Sequence, residues 1–201
     1  MYKKKYNFAM MATYLRIILS PLIGYFILLN TAQGYQIAFF LFIPTALTDW
    51  LDGYLSRKFN EESQLGKLMD PLADKVLMQV CIFALTYNHL ISPAILIVLL
   101  MRNALIAGLR SVAASNQIII FARPLGKLKT ALQMVSVPLL LASQYLDIST
   151  GKGWMYNALT HIPLLSTSLF FPLGYALLWI ASILSVASGL EYSYRYFRQK
   201  T

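Results

Sequence analysis

Apolar residues along this chain fall into six long runs that are separated by short polar stretches. Each run approaches the ~20 residues that a helix needs to cross a bilayer. Only helices or closed barrels satisfy the backbone in lipid, so we predict helices over residues 14–29, 35–58, 67–87, 93–114, 124–145 and 164–194. The last run exceeds one span and is expected to tilt or to project beyond the lipid.

The breaks between the runs carry residues that are typical of turns and helix ends. Residues 30–34 form a polar turn, residues 60–66 separate the second run from the third, and Pro93 stands where a helix start tolerates a missing N–H. No internal repeat or low-complexity linker divides the chain. We therefore predict a single membrane domain over residues 1–201.

Composition supports an integral membrane protein. Hydrophobic residues make up 58% of the chain and charged residues 12%, and the mean hydropathy is +0.58, values outside the range of soluble domains. The net charge of +9 does not predict nucleic-acid binding, because the basic residues stand at the ends of apolar runs. The lone Cys81 has no partner for a disulfide and is read as a buried apolar residue.

Basic residues predict the orientation, because Lys and Arg in short loops favour the cytoplasmic side. One side would carry Lys3, Lys4, Lys5, Arg57, Lys58, Lys67, Arg123, Lys127, Lys129, Arg195, Arg198 and Lys200, and the other only Lys152. Six spans with both termini cytoplasmic fit this distribution. The first run reads as a retained helix rather than a signal peptide, with residues 3–12 as an N-terminal juxtamembrane segment on the membrane surface.

Four aspartates occur at helical spacing in the second and third runs. The positions that share a face are Asp49, Asp52 and Ser56 in one run and Gly66, Asp70 and Asp74 in the other. An ionised side chain at bilayer depth costs roughly 2.5–3.5 kcal/mol, which bound cations can offset. Ligands that are all oxygen suit Mg²⁺, Mn²⁺ or Ca²⁺ rather than zinc. Four carboxylates are enough for two ions, as in sites of phosphoryl chemistry.

The residues beside these aspartates fit the approach of a phosphate ligand. Gly53 and Gly66 leave room next to the helix backbones, and Arg57 offers a fork for phosphate oxygens. Two antiparallel helices with a short connection are expected to be neighbours, which brings the carboxylates together. The alternative is a set of salt bridges with Arg57, Lys67 and Lys75 at a solvated helix end.

The pattern Asp49-x-x-Asp52-Gly53-x-x-Ser56-Arg57, followed by Gly66-x-x-x-Asp70-x-x-x-Asp74, resembles that of the CDP-alcohol phosphatidyltransferases, which usually have alanine where this chain has Ser56. The resemblance implies six transmembrane helices, a homodimer, and transfer of a phosphatidyl group from a CDP-linked lipid to an alcohol with release of CMP. It also implies site roles. Asp49, Asp52, Asp70 and Asp74 would bind two Mg²⁺ or Mn²⁺ ions, Asp74 would act as the base, and Gly53, Ser56, Arg57 and Gly66 would contact the CDP moiety.

Further cations downstream indicate an acceptor that carries a phosphate. Arg102 and Arg110 are eight residues apart and so share a helix face, and Lys127 and Lys129 open the fifth run. These segments resemble the phosphatidylglycerophosphate synthase branch of the family, whose acceptor is sn-glycerol 3-phosphate. Asn103 departs from that branch, which usually has glutamate there.

Three other interpretations stay open at this point. Cardiolipin, phosphatidylserine and phosphatidylinositol phosphate synthases share the aspartate pattern but use other acceptors. A divalent-cation transporter would also need intramembrane carboxylates, although near mid-membrane rather than at one end. Ordinary positive charge in cytoplasmic loops would also account for Arg110, Arg123, Lys127 and Lys129.

Overall fold

A computed structural model describes residues 8–59, 64–115, 124–149 and 167–200. Within these residues the secondary structure is entirely helical, as predicted, and each predicted run coincides with one helix. The helices are α1 (Phe8–Leu28), α2 (Ala32–Phe59), α3 (Gln64–Tyr87), α4 (Pro93–Ser115), α5 (Pro124–Ile148) and α6 (Thr167–Lys200).

The helix ends differ from the prediction by a few residues. Residues 8–12 continue α1 as helix, and their position relative to the membrane stays a prediction. The turn predicted over residues 30–34 is shorter, because the Gly34 N–H donates a hydrogen bond of 3.1 Å to the Thr31 hydroxyl. Thr31 therefore caps α2 and draws Gly34 into its first turn. At the far end of the chain, α6 continues to Lys200.

Hydropathy along the described helices is that of a membrane protein. Three segments are long and apolar enough to cross a bilayer, namely Pro93–Ala113, Leu128–Ile148 and Leu169–Tyr194. Tyr14–Leu28 and Lys75–Tyr87 are shorter apolar helices. Large apolar side chains such as Leu105 and Ile183 are exposed on the surface of the bundle, which fits contact with lipid rather than water.

The bundle has a continuous apolar core. Helix α5 packs most extensively against α6, α1 packs against both α2 and α3, and α4 packs against α6. Further contacts join α2 to α5 and α3 to α4 and α5. Core residues from all six helices include Ile23, Phe42, Leu77, Ile95, Leu140, Leu141 and Leu178. The predicted contact between α2 and α3 stays a prediction, although both helices share α1 as a neighbour.

Side-chain hydrogen bonds join the ends of α1 and α3 to the start of α2. The Asn88 amide donates to the Ile27 carbonyl at 2.7 Å and to the Tyr35 hydroxyl at 2.8 Å. That hydroxyl in turn donates to the Asn30 side-chain oxygen at 2.7 Å. This network fixes how α2 and α3 lie against α1, and these two helices carry the aspartates.

Gly24 allows α1 to lie directly against Val80 of α3, since a Cβ atom at this position would clash with the Val80 side chain. We expect Gly24→Leu to destabilise the protein by about 1–3 kcal/mol, because overpacking forces the two helices apart. Gly108→Leu on α4 is the control, as no heavy atom lies within 4 Å of the added Cβ. Thermal unfolding in detergent measures both variants, and equal melting temperatures would contradict the close approach.

Candidate active site

The structure places the aspartate pattern on two continuous helices. Asp49, Asp52, Gly53, Ser56 and Arg57 lie in the second half of α2, and Gly66, Asp70 and Asp74 lie in the first half of α3. The helical spacing that the sequence predicted is therefore confirmed for the backbone. The side chains of these residues lie outside the described part of the structure, so their roles stay predictions. Among the side chains that are described, no group of three metal-ligating residues occurs.

Four cations from three helices lie close enough to act on one another. The charges of Arg102 and Arg110 on α4 act on Lys75 of α3, and the charges of Arg102 and Lys75 act on Lys129 of α5. We call these four residues the cation cluster. Because Lys75 directly follows Asp74, the cluster lies beside the part of α3 that carries the aspartates.

Arg102 is half-buried and held on three sides by neutral groups. Its Nε donates to the Ser185 carbonyl at 3.3 Å, its Nη2 to the Ser188 hydroxyl at 2.9 Å, and its Nη1 to the Asn103 side-chain oxygen at 3.4 Å. A guanidinium has five N–H donors. The described contacts thus use three of them and leave two for a ligand.

Lys129 is the most deeply buried member of the cation cluster, with 6% of its surface exposed. Its ammonium donates to the Asn103 side-chain oxygen at 3.1 Å and to the Ser185 hydroxyl at 3.3 Å. These partners carry no charge, and a buried charge is costly without an opposite one. Its burial distinguishes Lys129 from the exposed lysines of an ordinary cytoplasmic loop.

Arg110 lies at the exposed edge of the cluster. Its guanidinium carbon is 5.9 Å from the centre of the Tyr192 ring on α6, a cation–π distance. Arg102 and Arg110 both contact α6, so the prediction that they share one face of their helix is confirmed. The Lys127 side chain lies outside the described residues, and its predicted role stays a prediction.

Sequence reasoning missed the neutral residues that hold these cations. Asn103 was noted only as a departure from a family branch, whereas its amide oxygen accepts hydrogen bonds from both Arg102 and Lys129. Ser185, Ser188 and Tyr192 were not singled out at all. Their spacing of three and four residues within an apolar run was the available signal, because it puts all three on one helix face.

Comparison with known proteins places the chain among membrane-lipid enzymes. A family model described as CDP-alcohol phosphatidyltransferase matches residues 6–187. The chain is 36% identical over 152 residues to a protein of Bacillus subtilis and 34% identical over 161 residues to one of Mycoplasma genitalium. It is 29% identical over 180 residues to a third relative, from Rickettsia typhi. Each relative is named CDP-diacylglycerol--glycerol-3-phosphate 3-phosphatidyltransferase.

The matched regions differ in extent. They cover 76% of this chain and 69% of the Bacillus protein, and 90% of this chain and 91% of the Rickettsia protein. The match to the Mycoplasma protein covers 80% of this chain but only 64% of that relative.

Proposed function

Because this chain belongs to the CDP-alcohol phosphatidyltransferase family, we propose that it transfers the phosphatidyl group of CDP-diacylglycerol to sn-glycerol 3-phosphate. The products are phosphatidylglycerophosphate and CMP, which makes the protein an enzyme of phospholipid biosynthesis. The names of its relatives support this acceptor. The observation in the structure that carries the proposal is the cation cluster.

The cation cluster favours an acceptor that carries its own phosphate. The described hydrogen bonds of Arg102 and Lys129 go only to neutral groups. Arginine and lysine at bilayer depth each cost roughly 2.5–3.5 kcal/mol, and bringing like charges together adds to that cost. A bound phosphate dianion offsets both terms, whereas a neutral alcohol offsets neither.

The four aspartates fit a pair of hard divalent cations. Asp49 and Asp52 on α2, and Asp70 and Asp74 on α3, supply only carboxylate oxygens, the ligands that Mg²⁺ and Mn²⁺ prefer. We propose that these residues hold two such ions. When bound, the ions supply Lewis-acid stabilisation of the negative charge on the pyrophosphate of the donor.

The chain's own residues bind and align the two substrates. Arg102, Arg110, Lys127 and Lys129 hold the phosphate of glycerol 3-phosphate, while Gly53, Ser56, Arg57 and Gly66 accommodate the CDP moiety. Asp74 accepts the proton of the acceptor's primary hydroxyl while the hydroxyl oxygen attacks the lipid-linked phosphorus. The bond from that phosphorus to CMP breaks, and CMP leaves. Lys75 lies between the proposed metal site and the proposed acceptor site, because it follows Asp74 in sequence and interacts electrostatically with Arg102 and Arg110.

The proposal includes the arrangement in the membrane. We propose one domain over residues 1–201 with six transmembrane helices, both termini and the active site on the cytoplasmic side, and a homodimer as the assembly. The location is the cell membrane. Apolar helices in the described part of the chain and the one-sided distribution of Lys and Arg support the spans and their orientation.

The test is transfer of labelled glycerol 3-phosphate into lipid by the purified protein in the presence of CDP-diacylglycerol and Mg²⁺. Parallel reactions contain serine, inositol phosphate or phosphatidylglycerol, and one reaction lacks divalent cation. We expect lipid product with glycerol 3-phosphate alone, and none without the cation. Product with serine, inositol phosphate or phosphatidylglycerol instead would contradict the acceptor assignment, and CMP release with no acceptor would contradict the transfer reaction.

Asn103 is neutral and bridges two cations, so its replacement by a carboxylate tests whether the charge of the cluster matters. We expect Asn103→Asp to raise the KM for glycerol 3-phosphate about tenfold, because the new carboxylate pairs with Arg102 and Lys129 and competes with the acceptor phosphate. Initial rates at varied acceptor concentration measure this. Ser115→Asp adds the same charge at an exposed position of α4 and should leave the KM unchanged. Equal effects of the two variants would exclude a local role for Asn103.

A further inference from the structure

One face of the last helix contacts three members of the cation cluster. Ser185, Ser188, Gly189 and Tyr192 of α6 are spaced as i, i+3, i+4 and i+7, which places them on a single helix face. Ser185 and Ser188 contact Arg102, Ser185 also contacts Lys129, and Tyr192 contacts Arg110. We call this face the α6 platform.

The Ser188 hydroxyl has a defined hydrogen-bond direction. Its proton goes to the Ser185 carbonyl at 3.0 Å, so its oxygen is free to accept from Arg102 Nη2 at 2.9 Å. The same Ser185 carbonyl also accepts from Arg102 Nε. The edge of the guanidinium that carries Nε and Nη2 is therefore fixed against α6, and this sets the direction of the remaining N–H groups.

Close packing of the stem of Arg102 adds to this restraint. A Cβ atom at Gly189 would lie 3.3 Å from Arg102 Cγ, so the glycine lets the arginine stem rest against the helix backbone. One helix turn before the platform, Ser182 is also buried, but the hydrogen bond described for its hydroxyl goes to the Leu178 carbonyl of its own helix. Self-satisfied serines are ordinary in apolar helices, and the contact with cations sets Ser185 and Ser188 apart from Ser182.

We propose that Ser185 and Ser188 are positioning residues that aim Arg102 and Lys129 at the phosphate of the acceptor, an inference that rests on the function proposed above. Without the serine hydroxyls, both cations gain rotamers that point away from the phosphate. Binding of the acceptor then has to order these long side chains, and the lost conformational entropy weakens its affinity. The effect should be specific to the acceptor, because the described hydrogen bonds of Ser185 and Ser188 outside their own helix go to Arg102 and Lys129.

The experiment compares Ser188→Ala, the double variant Ser185→Ala with Ser188→Ala, and the control Ser182→Ala. For each purified protein, initial rates give kcat and the KM values for glycerol 3-phosphate and CDP-diacylglycerol. We expect the acceptor KM to rise about fivefold in Ser188→Ala and about 20-fold in the double variant. The kcat, the KM for CDP-diacylglycerol and all constants of Ser182→Ala should stay within about twofold of wild type. Ser188→Thr retains the hydroxyl and should restore the acceptor KM.

The outcomes separate this inference from the proposed function. The inference alone is overturned if the wild-type enzyme uses glycerol 3-phosphate and the serine variants have the same KM for this acceptor as the wild type. Equal increases in both KM values, or a change in Ser182→Ala as large as in Ser188→Ala, also overturn it, since they report a general disturbance of α6. A wild-type enzyme that uses only an acceptor without phosphate overturns the inference and the proposed function together.

Discussion

Replacement of Asp74 by asparagine is expected to lower phosphatidyl transfer by about 10³-fold or more, the upper range for loss of a general base. Asparagine has nearly the same shape as aspartate but cannot accept the hydroxyl proton, and it also lacks the negative charge that binds a divalent cation. Asp74 lies one residue before Lys75, whose charge interacts with Arg102 and Arg110. Its place in α3 thus puts it next to the proposed acceptor site.

Transfer of labelled glycerol 3-phosphate into lipid measures this effect, and thermal unfolding in detergent checks that the variant is folded. Asp147→Asn provides the matched control, because Asp147 is an exposed aspartate near the end of α5 and should tolerate the change. Turnover of Asp74→Asn within tenfold of wild type would remove Asp74 from the proposed chemistry.

Replacement of Lys129 by methionine is expected to raise the KM for glycerol 3-phosphate roughly 30- to 100-fold, the equivalent of one lost hydrogen bond between charged groups. Methionine is unbranched and fills much of the same space. The KM for CDP-diacylglycerol should stay near the wild-type value. The melting temperature should equal or exceed that of wild type, because the variant no longer buries a charge among neutral partners.

Arg198→Gln serves as the control for Lys129→Met, since Arg198 is an exposed basic residue near the end of α6 and represents ordinary charge at the membrane surface. Kinetics with both substrates varied, together with thermal unfolding, distinguish the two positions. If Lys129→Met raised both KM values equally, or if Arg198→Gln matched its effect, Lys129 would be one more positive charge of the cytoplasmic side.

The proposed acceptor site is built around neutral residues that hold the cations without cancelling their positive charge. Asn103, Ser185 and Ser188 hold Arg102 and Lys129 through uncharged oxygens. A carboxylate in any of these places would hold the cations equally firmly but would also cancel part of their attraction for phosphate. Neutral ligands therefore combine positioning with an undiminished positive potential.

Most of the fold could be predicted because the bilayer simplifies the problem. A long apolar run in lipid has to be a helix, so the six runs located the six described helices to within a few residues at most ends. The errors came from local chemistry, as at Thr31, whose hydroxyl begins α2 earlier than hydropathy indicated. The helix faces of the aspartates could be predicted equally well, because the spacing of residues within a single helix determines them.

The sequence by itself determined the membrane class, the helical segments, the family and the faces on which the aspartates of α2 and α3 lie, because each of these depends on residues that are neighbours along the chain. Only the tertiary structure decided that α6 lies against α4 and α5 and that Ser185 and Ser188 hold Arg102 and Lys129. The physical reason is that a serine in an apolar helix can satisfy its hydroxyl on its own backbone, as Ser182 does. The sequence alone does not reveal which serine hydroxyl also faces a distant cation, as Ser188 faces Arg102, which is 86 residues away along the chain.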